Sequence, residues 1–440
     1  MSSDSPTQTA RNGGPATEIE IEGQATTAPM ATETPYPGQS PYKRFKIWRK
    51  SLVVTDFSRL AWCELHLDYS ERQQSSRSIE QRLRSFPSAR GKTIKVDIEV
   101  MKNNDRVTNL GRKIHRGLQL EINPPELKIT SRSDVNRWGQ RLVAMIDCVR
   151  SLSEQGCCRE MPVIGIMNGL VVQGLIDHVQ RQVIPAEAPV DLNDPAPSVE
   201  DTPSGSQLKR KRTSIEAPDA DEPKLKKVRI QDRSEATEET EAAPQTSADS
   251  SSSCCYELHI SDTKTRSEPG MPPESDAIPS RLQLMLYRKL LSGLLAPPSS
   301  PDAVNLDAIW TLVRVSPETR LSRTFIQEMK LERYGPSQRG WTLNELVRVF
   351  KESVKALHVD KIDNAMSIVY RTQAKTETTA AGEANPAQLT ADEKWPIVGT
   401  RTVCYDDEVL DEFLRSAFEY WNGERLPKGV EEPLMERRCL

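Results

Sequence analysis

The chain has 440 residues, of which 36% are hydrophobic and 28% charged, and its mean hydropathy is -0.58. This composition is lean for the two or three domains that such a length can hold, so it predicts one substantial domain plus disordered segments. Thirty-one prolines against 7 phenylalanines and 9 tyrosines favour the same interpretation, because polar proline-rich sequence buries too little apolar surface to fold. The net charge of -4 excludes no class of partner, and no apolar run approaches the roughly 18 residues of a membrane span, so we expect a soluble protein.

The cysteines and the first 40 residues bear on the compartment. Eight cysteines without regular spacing or a CxxC pair make a disulfide framework improbable and favour a reducing compartment. Arg11 is the only basic residue among the first 40, which is the wrong chemistry for an Arg-rich mitochondrial presequence. Residues 1–41 are rich in Ser, Thr, Pro, Gly and Ala without apolar periodicity, and we interpret them as a disordered tail.

The first half of the ordered region, from about Tyr42, is predicted to be mostly helical. A strand or turn at Leu52 leads into a helix with Thr55 or Asp56 as the N-cap, and Cys63 is expected on that helix. Apolar residues at helical spacing predict two further helices, at about 109–120 and 133–152.

Strands are predicted from residue 163 onward. Segments 163–166 and 169–177 flank Asn168-Gly169, a pair typical of a two-residue hairpin turn. Residues 186–252 are rich in Pro, Ser and charged residues and are predicted to be a disordered insertion. Beyond it we expect elements at 256–264 (strand), 282–295, 302–315 and 343–357 (helices), 396–404 (strand) and 407–421 (helix).

Three residues at the ends of two predicted strands carry the chemistry. Asp262 and Lys264 project from the same face of a strand, because side chains alternate with period two. Asp177 closes another apolar strand, and pairing of the two strands would bring it near Asp262. Two carboxylates suit Mg²⁺, which takes one or two of them plus phosphate oxygens, and Lys264 would neutralise charge on a phosphodiester under attack. The alternative is an ordinary solvated salt bridge on an edge strand.

Two helical pairs accompany these strands. Gln283 and Tyr287 are four residues apart and share a helix face, as do Gly111 and His115. A small residue one turn before a histidine leaves room beside the imidazole. Taken alone, each of these residues is more typical of packing or of the surface than of a site.

In the order helix with G-x-x-x-H, strand with G-L-I-D, strand with D-T-K and helix with Q-x-x-x-Y, these residues resemble the RecB-like PD-(D/E)XK nucleases. Further segments resemble one branch, the exonuclease V family: Val54-Thr55-Asp56, Trp62-Cys63-Glu64, Asp262-Thr263-Lys264-Thr265-Arg266 and Tyr420-Trp421-Asn422-Gly423-Glu424-Arg425. The resemblance implies an α/β fold, a mixed sheet flanked by helices, with a helical front section, over residues 42–440 apart from the insertion. It implies a magnesium-dependent exonuclease that degrades single-stranded DNA from free ends in genome maintenance or repair, in the nucleus or mitochondrion.

The resemblance also implies roles for individual residues. Asp177 and Asp262 would hold Mg²⁺, and Lys264 would assist the attacking water. The residues that would complete the site or contact DNA are His115, Gln283, Tyr287 and Arg266. The family usually has a glutamate four residues after the histidine, where this chain has Gln119. Glu121 lies two residues further on, about 200° around the helix, so it is no simple replacement.

A second departure concerns a 4Fe-4S cluster, which the family holds with one early cysteine and three near the C-terminus. Cys63 matches the first, and Cys439 lies where the later group begins, next to the last residue of the sequence. A cubane cluster needs four thiolates, so the sequence supplies a partial ligand set. Either the sequence is truncated or the cluster is absent. Cys254, Cys255 and Cys404 lie outside the family pattern.

The predicted insertion holds two basic clusters, Lys209 to Arg212 and Lys224 to Arg229, separated by an acidic stretch. Their spacing is typical of a bipartite nuclear-import signal, so an import receptor is an expected partner and the nucleus the expected compartment. The alternatives are a solvated charge run and a flexible arm that binds phosphates.

We expect a monomer that binds single-stranded DNA. Two rival hypotheses remain: a catalytically weak DNA-binding protein that retains the fold, and a scaffold that recruits partners through the basic insertion.

Overall fold

A computed structural model describes residues 39–122, 133–184, 255–268, 270–337, 340–373 and 394–430. The chain divides into a larger unit, residues 1–182 and 257–440, and a smaller one, residues 183–256. The α-helices are α1 (Val54–Trp62), α2 (Glu64–Gln73), α3 (Ile98–Ile122), α4 (Asp134–Gln155), α5 (Glu274–Leu295), α6 (Leu306–Val313), α7 (Arg323–Glu328), α8 (Leu343–Ala356) and α9 (Asp407–Asn422). The strands are β1 (Leu52–Val53), β2 (Ser85–Pro87), β3 (Thr93–Lys95), β4 (Cys157–Met167), β5 (Leu170–Val183), β6 (Tyr256–Arg266), β7 (Lys361–Ile362), β8 (Ala365–Thr372) and β9 (Ile397–Cys404). No described helix combines the length and apolar character that crossing a membrane requires.

Seven strands form one mixed sheet in the order β1-β5-β6-β8-β9, with β4 paired to β5 and β7 to β6. The β1–β5 and β6–β8 pairs are parallel, whereas β4–β5 and β8–β9 are antiparallel. Helices α4 and α5 both pack against β4, and α1 packs against α5. The predicted mixed α/β fold with flanking helices is therefore confirmed.

The β4–β5 hairpin turns at Asn168 and Gly169, as predicted. Both residues have positive φ, 47° and 71°, which a two-residue hairpin turn of this type requires and which Asn and Gly tolerate best. Strand β4 begins at Cys157, six residues earlier than predicted, because Cys158 and Met161, like Val163 and Ile164 after them, are buried in the core.

The front section differs from the prediction in two details. The N-cap of α1 is Val53, not Thr55 or Asp56; Asp56 lies in the first turn, where its carboxylate accepts a 3.0 Å hydrogen bond from the Val53 N–H. Cys63 does not lie on the helix. It is extended between α1 and α2, and its Sγ caps α2 by accepting from the His66 N–H at 3.4 Å. A carboxylate or sulfur that satisfies a free N–H at a helix start stabilises that start.

Helix α3 is more than twice as long as predicted, and it extends about 37 Å at 1.5 Å per residue. Only Met101, Ile114 and Leu118 are buried along it. Its N-terminal half therefore lacks the apolar repeat on which the prediction relied. Trp395 packs on Ile114 and Leu118 in a cluster separate from the main core.

The later helices agree more closely with the prediction. Helix α8 begins after Thr342, whose hydroxyl accepts from the Glu345 N–H, and α9 begins after Asp406 in the same way. Helix α5 begins at Glu274, eight residues earlier than predicted, and includes Pro279. The β2–β3 hairpin, β7, β8 and α7 had no counterpart in the prediction. The predicted insertion, 186–252, and most of the N-terminal tail lie outside the described residues.

Candidate active site

A cavity of about 850 Å³ opens where α3 passes the sheet. Its lining residues come from α1, α3, β4, β5, β6 and α5, with one residue from the end of β8: Thr55, Val107, Thr108, Gly111, Arg112, His115, Arg116, Gln119, Glu160, Leu175, Asp177, Asp262, Lys264, Thr265, Gln283, Tyr287 and Gln373. Every predicted site residue except Arg266 and the two cysteines is in this set. The volume lies in the range of pockets that bind small ligands.

Asp177 and Asp262 lie on neighbouring strands, as predicted. The Thr263 backbone N–H donates a 2.8 Å hydrogen bond to Asp177 Oδ2, which fixes that carboxylate beside β6. Burial raises the pKa of both carboxyls, and the nearby charge of Asp177 adds to the rise at Asp262, whose pKa reaches about 6 although Lys264 opposes it. Two neighbouring carboxyls, one buried and one largely buried, that resist ionisation together are poised to accept a cation.

Lys264 and Asp262 form an ion pair, with Nζ 2.8 Å from Oδ2. The Asp262 side chain is 1% exposed and the Lys264 side chain 32%, so the ammonium reaches from a buried partner toward the cavity. Burial disfavours the ammonium, but Asp262 and Asp177 outweigh this effect and raise the pKa of Lys264. Lys264 therefore stays protonated at neutral pH, and its charge is available to an anion in the cavity.

Gln283 connects the members of this pair. Its Oε1 accepts from Lys264 Nζ at 3.0 Å, while its Nε2 donates to Asp262 Oδ1 at 3.3 Å and to the Tyr287 hydroxyl at 3.1 Å. The predicted helix face of Gln283 and Tyr287 thus meets the predicted D-x-K pair. Burial, with Asp262 and Asp177, raises the pKa of Tyr287.

Two glycines allow the close approach of helices to the sheet. A Cβ on Gly174 would lie 2.6 Å from the Tyr287 ring, so glycine in β5 makes room for that ring. A Cβ on Gly111 would lie 3.0 Å from Thr265 Oγ1, so the glycine one turn before His115 brings α3 against β6. The space at Gly111 thus serves helix packing rather than the imidazole itself.

His115 Nδ1 lies 3.5 Å from Asp177 Oδ2. Burial lowers the pKa of His115, with the positive charges of Lys264 and Arg159 adding to the effect and Asp262 opposing it. A neutral imidazole at physiological pH is the form that ligates metals.

Glu160 is a site residue that the sequence did not reveal. One ligand atom each from His115, Glu160 and Asp177 lie within 4.8 Å of one another, so these three side chains could hold a metal ion. Glu160 lies between Arg159 and Met161, whose partners His178 and Ile176 flank Asp177 in the β4–β5 pair. Its backbone has a φ of 54°, a strained value for a residue with a side chain. Its only sequence signal is that it is the one acid in an otherwise largely apolar strand.

The family's usual glutamate position is also in the cavity. Gln119 lines it, whereas Glu121 is exposed on α3 and is not among the lining residues. The charge of Glu121 acts instead on Arg159. Burial lowers the pKa of Arg159, and the negative charge of Glu121 partly opposes this effect. Glu160, entering from the sheet, places a carboxylate in the same cavity.

Arg266 lies outside the cavity lining. At the end of β6, its Nη2 is 3.7 Å from Glu268 Oε2, and the side chain is 25% exposed. The predicted contact of Arg266 with DNA therefore stays a prediction that the cavity does not support.

The early and late segments of the family resemblance meet in space. Arg425 donates to both carboxylate oxygens of Glu64, at 2.6 and 2.7 Å, next to buried Cys63. Cys439 and the basic clusters of the insertion lie outside the described residues. Among the residues that are described, Cys63 is the only family-pattern cysteine, so they do not fit a four-thiolate cluster. The cluster stays a prediction from the resemblance.

Comparison with known proteins agrees with this geometry. A family described as "Exonuclease V - a 5' deoxyribonuclease" matches residues 94–340 and 337–439, which include α3 and the strands and helix that line the cavity. A search of curated proteins found no match. The family match spans most of the chain, and the chain therefore belongs to the exonuclease V family of DNA exonucleases.

Proposed function

We propose that the chain is a magnesium-dependent exonuclease that degrades single-stranded DNA from a free end, in genome maintenance. The observation that carries this proposal is the convergence of His115, Glu160 and Asp177 on one point, beside the Asp262–Lys264 pair. Carboxylate oxygens are the ligands that Mg²⁺ prefers, and a neutral imidazole completes a set that fits a divalent cation. The family description adds a 5' polarity to the proposal.

The side chains of the cavity would have separate roles in hydrolysis. His115, Glu160 and Asp177 would hold the cation together with the neighbouring Asp262, and the cation when bound activates water and offsets phosphate charge. Lys264 presents a fixed positive charge to the phosphate, which stabilises the additional negative charge that develops during attack. Gln283 keeps Lys264 and Asp262 in place through its three hydrogen bonds.

The size of the cavity supports a single-stranded substrate. A space of about 850 Å³ suits a nucleotide with its flanking phosphates. A base-paired end would have to be opened first, at a cost of a few kcal/mol per step. Arg112 and Arg116 line the cavity and are exposed, so they can pair with those phosphates.

The test is release of nucleotides from linear single-stranded DNA in Mg²⁺, compared with a closed single-stranded circle and with linear duplex. We expect degradation of the linear single strand alone, and its loss in Asp262→Ala. Glu121→Gln is the matched control, because it removes an acid of α3 that does not line the cavity. Equal degradation of the circle would contradict end dependence, and full activity in EDTA would contradict the metal.

Gln119 favours a second candidate, a DNA-binding protein with weak or no turnover, because the family's usual carboxylate is missing there. Glu160 argues against it, since it returns a carboxylate to the same cavity. Binding of the single strand without any Mg²⁺-dependent release would favour this second candidate.

We also propose a nuclear location, supported by the two basic clusters within 209–229. Substituting both clusters in a fluorescent fusion should move it from the nucleus to the cytoplasm. An unchanged distribution would leave the phosphate-binding arm as the better interpretation.

A further inference from the structure

One segment of the described residues carries a large excess of positive charge. Residues 77–116 contain eleven Lys or Arg and four Asp or Glu, a net charge of +7 in a chain whose net charge is -4. The rest of the chain is therefore at -11. Such segregation is the electrostatic footprint of a nucleic-acid surface rather than of an average soluble face.

The segment consists of the residues that lead into the β2–β3 hairpin, the hairpin itself and most of α3. The basic residues of α3 are Lys102, Arg106, Arg112, Lys113 and Arg116, and all five are exposed. At 3.6 residues per turn they lie within an arc of about 120° around the helix axis. Arg112 and Arg116, at one edge of this basic arc, line the cavity. The basic arc therefore borders the candidate active site and extends from it toward the start of α3.

Acids of the segment neutralise only part of this charge. Among the described residues, Asp105 pairs with Arg82 at 2.5 Å and Glu99 with Lys102 at 2.9 Å. The second pair is exposed and therefore exchanges easily for a phosphate. Most of the positive charge thus stays available to an anionic partner.

The β2–β3 hairpin ends three residues before α3 begins and carries further basic residues. Arg90, Lys92 and Lys95 are exposed on it, and none of them belongs to an ion pair of the described residues. The hairpin itself is anchored, because buried Phe86 packs edge-on against Tyr69 of α2 with ring centroids 5.1 Å apart. A fixed support for three exposed cations favours a ligand over a merely solubilising role.

We propose that the β2–β3 hairpin and the basic arc of α3 form a binding track for the part of the DNA strand that lies outside the cavity. This inference rests on the proposed function, since it assigns the polyanion to the same substrate. The track binds phosphates and carries no base specificity. A strand long enough to reach the hairpin is held more tightly than a short one that fills only the cavity.

The salt dependence of binding gives the expected size of the effect. Each phosphate neutralised on a single strand contributes about 0.7 to the slope of log affinity against log salt. Removing three hairpin cations should therefore reduce the slope by about 2 and the affinity about 100-fold at 0.1 M salt. Short strands that do not reach the hairpin should bind as before.

The experiment measures binding of fluorescent oligonucleotides of about 6 and about 30 nucleotides to the full chain in EDTA, over a series of salt concentrations. The variant is Arg90→Gln, Lys92→Gln, Lys95→Gln. The control is Arg323→Gln, Lys351→Gln, Lys355→Gln, which removes three exposed cations from α7 and α8. Release of nucleotides from the short strand in Mg²⁺ is measured for all proteins.

We expect the hairpin variant to lose affinity and salt slope for the long strand only, with wild-type turnover of the short strand, and the control variant to match the wild type. Equal binding of the long strand by the hairpin variant and the wild type would overturn the track, whether or not the wild type hydrolyses DNA. Equal losses in the control variant would also overturn it, because any three cations would then suffice. A wild type that hydrolyses no DNA but shows the length-dependent loss would support the track and contradict the proposed nuclease.

Discussion

Replacing Asp262 by asparagine should stop the enzyme and at the same time stabilise its metal-free fold. Asp262 is buried with a pKa of about 6, against an ordinary 3.8. The folded protein therefore binds this proton more tightly than the unfolded chain does. Stability falls as pH rises from about 3.8 to about 6, and the full loss is present above that window. Asparagine cannot ionise, so it avoids this loss.

The size of the effect follows from the shift. A rise of about two pKa units lowers the free energy of unfolding by about 3 kcal/mol at pH 7.5. At pH 4.5 the loss is only about 1 kcal/mol, because the Asp262 carboxyl of the folded protein is then largely protonated. Part of the gain is offset because Lys264 loses a negative partner, although Asp177 still favours its charge. We expect Asp262→Asn to raise the free energy of unfolding by about 1 to 2 kcal/mol at pH 7.5. At pH 4.5 its advantage over the wild type should be about 2 kcal/mol smaller.

Urea unfolding of wild type and Asp262→Asn in EDTA at the two pH values measures this difference, and nucleotide release in Mg²⁺ measures activity, which should fall at least about 100-fold. Asp68→Asn is the contrasting control. Asp68 is also buried, but it pairs with Arg72 at 2.6 Å, so its loss leaves a buried guanidinium without that carboxylate and should destabilise the protein. A variant at Asp262 that is less stable than the wild type at pH 7.5, or whose advantage does not shrink at pH 4.5, would refute the reasoning.

Three further changes test other parts of the structure. Glu160→Gln should raise the Mg²⁺ concentration needed for half-maximal nucleotide release about 10- to 100-fold, because a charged ligand is lost. An unchanged Mg²⁺ titration would show that Glu160 is not a metal ligand. Gly117→Leu should reduce turnover at least about 10-fold with little change in the binding of a long strand. The reason is that a Cβ at this position would lie 2.4 Å from the Trp395 ring and would push α3 away from the site. Wild-type turnover would show that α3 tolerates the shift. Asp56→Ala should lower the free energy of unfolding in urea by about 3 kcal/mol. The substitution leaves the buried Lys46 ammonium without its nearest carboxylate, 2.9 Å away, and the Val53 N–H without its acceptor. A loss below about 1 kcal/mol would contradict the stabilising role of Asp56.

Much of the site was predictable because its spacing is local. Asp262 and Lys264 share a strand face, and Gln283 and Tyr287 share a helix face, and both relations follow from the period of the element. The turn at Asn168-Gly169 followed from backbone preferences of the two residues themselves. The order of these local motifs along the chain is also the basis of the resemblance to the exonuclease V family, and the family match confirms that resemblance.

The remainder depended on contacts between residues far apart in the chain. Glu160 joins His115 and Asp177 only because β4 folds back on β5 and α3 packs against β4. One acid in a strand gives no periodic pattern. Arg425 meets Glu64 across more than 350 residues, and no local preference predicts that pairing.

The sequence by itself determined the local elements, the D-x-K face and the family of this protein, because side-chain periodicity and turn preferences act over a few residues. Only the tertiary structure decided that Glu160 lines the same cavity as Gln119, and that the cationic hairpin is anchored on α2 through Phe86 and Tyr69. Both depend on long-range packing, in which strand pairing and the burial of α3 against Trp395 bring distant residues to one place.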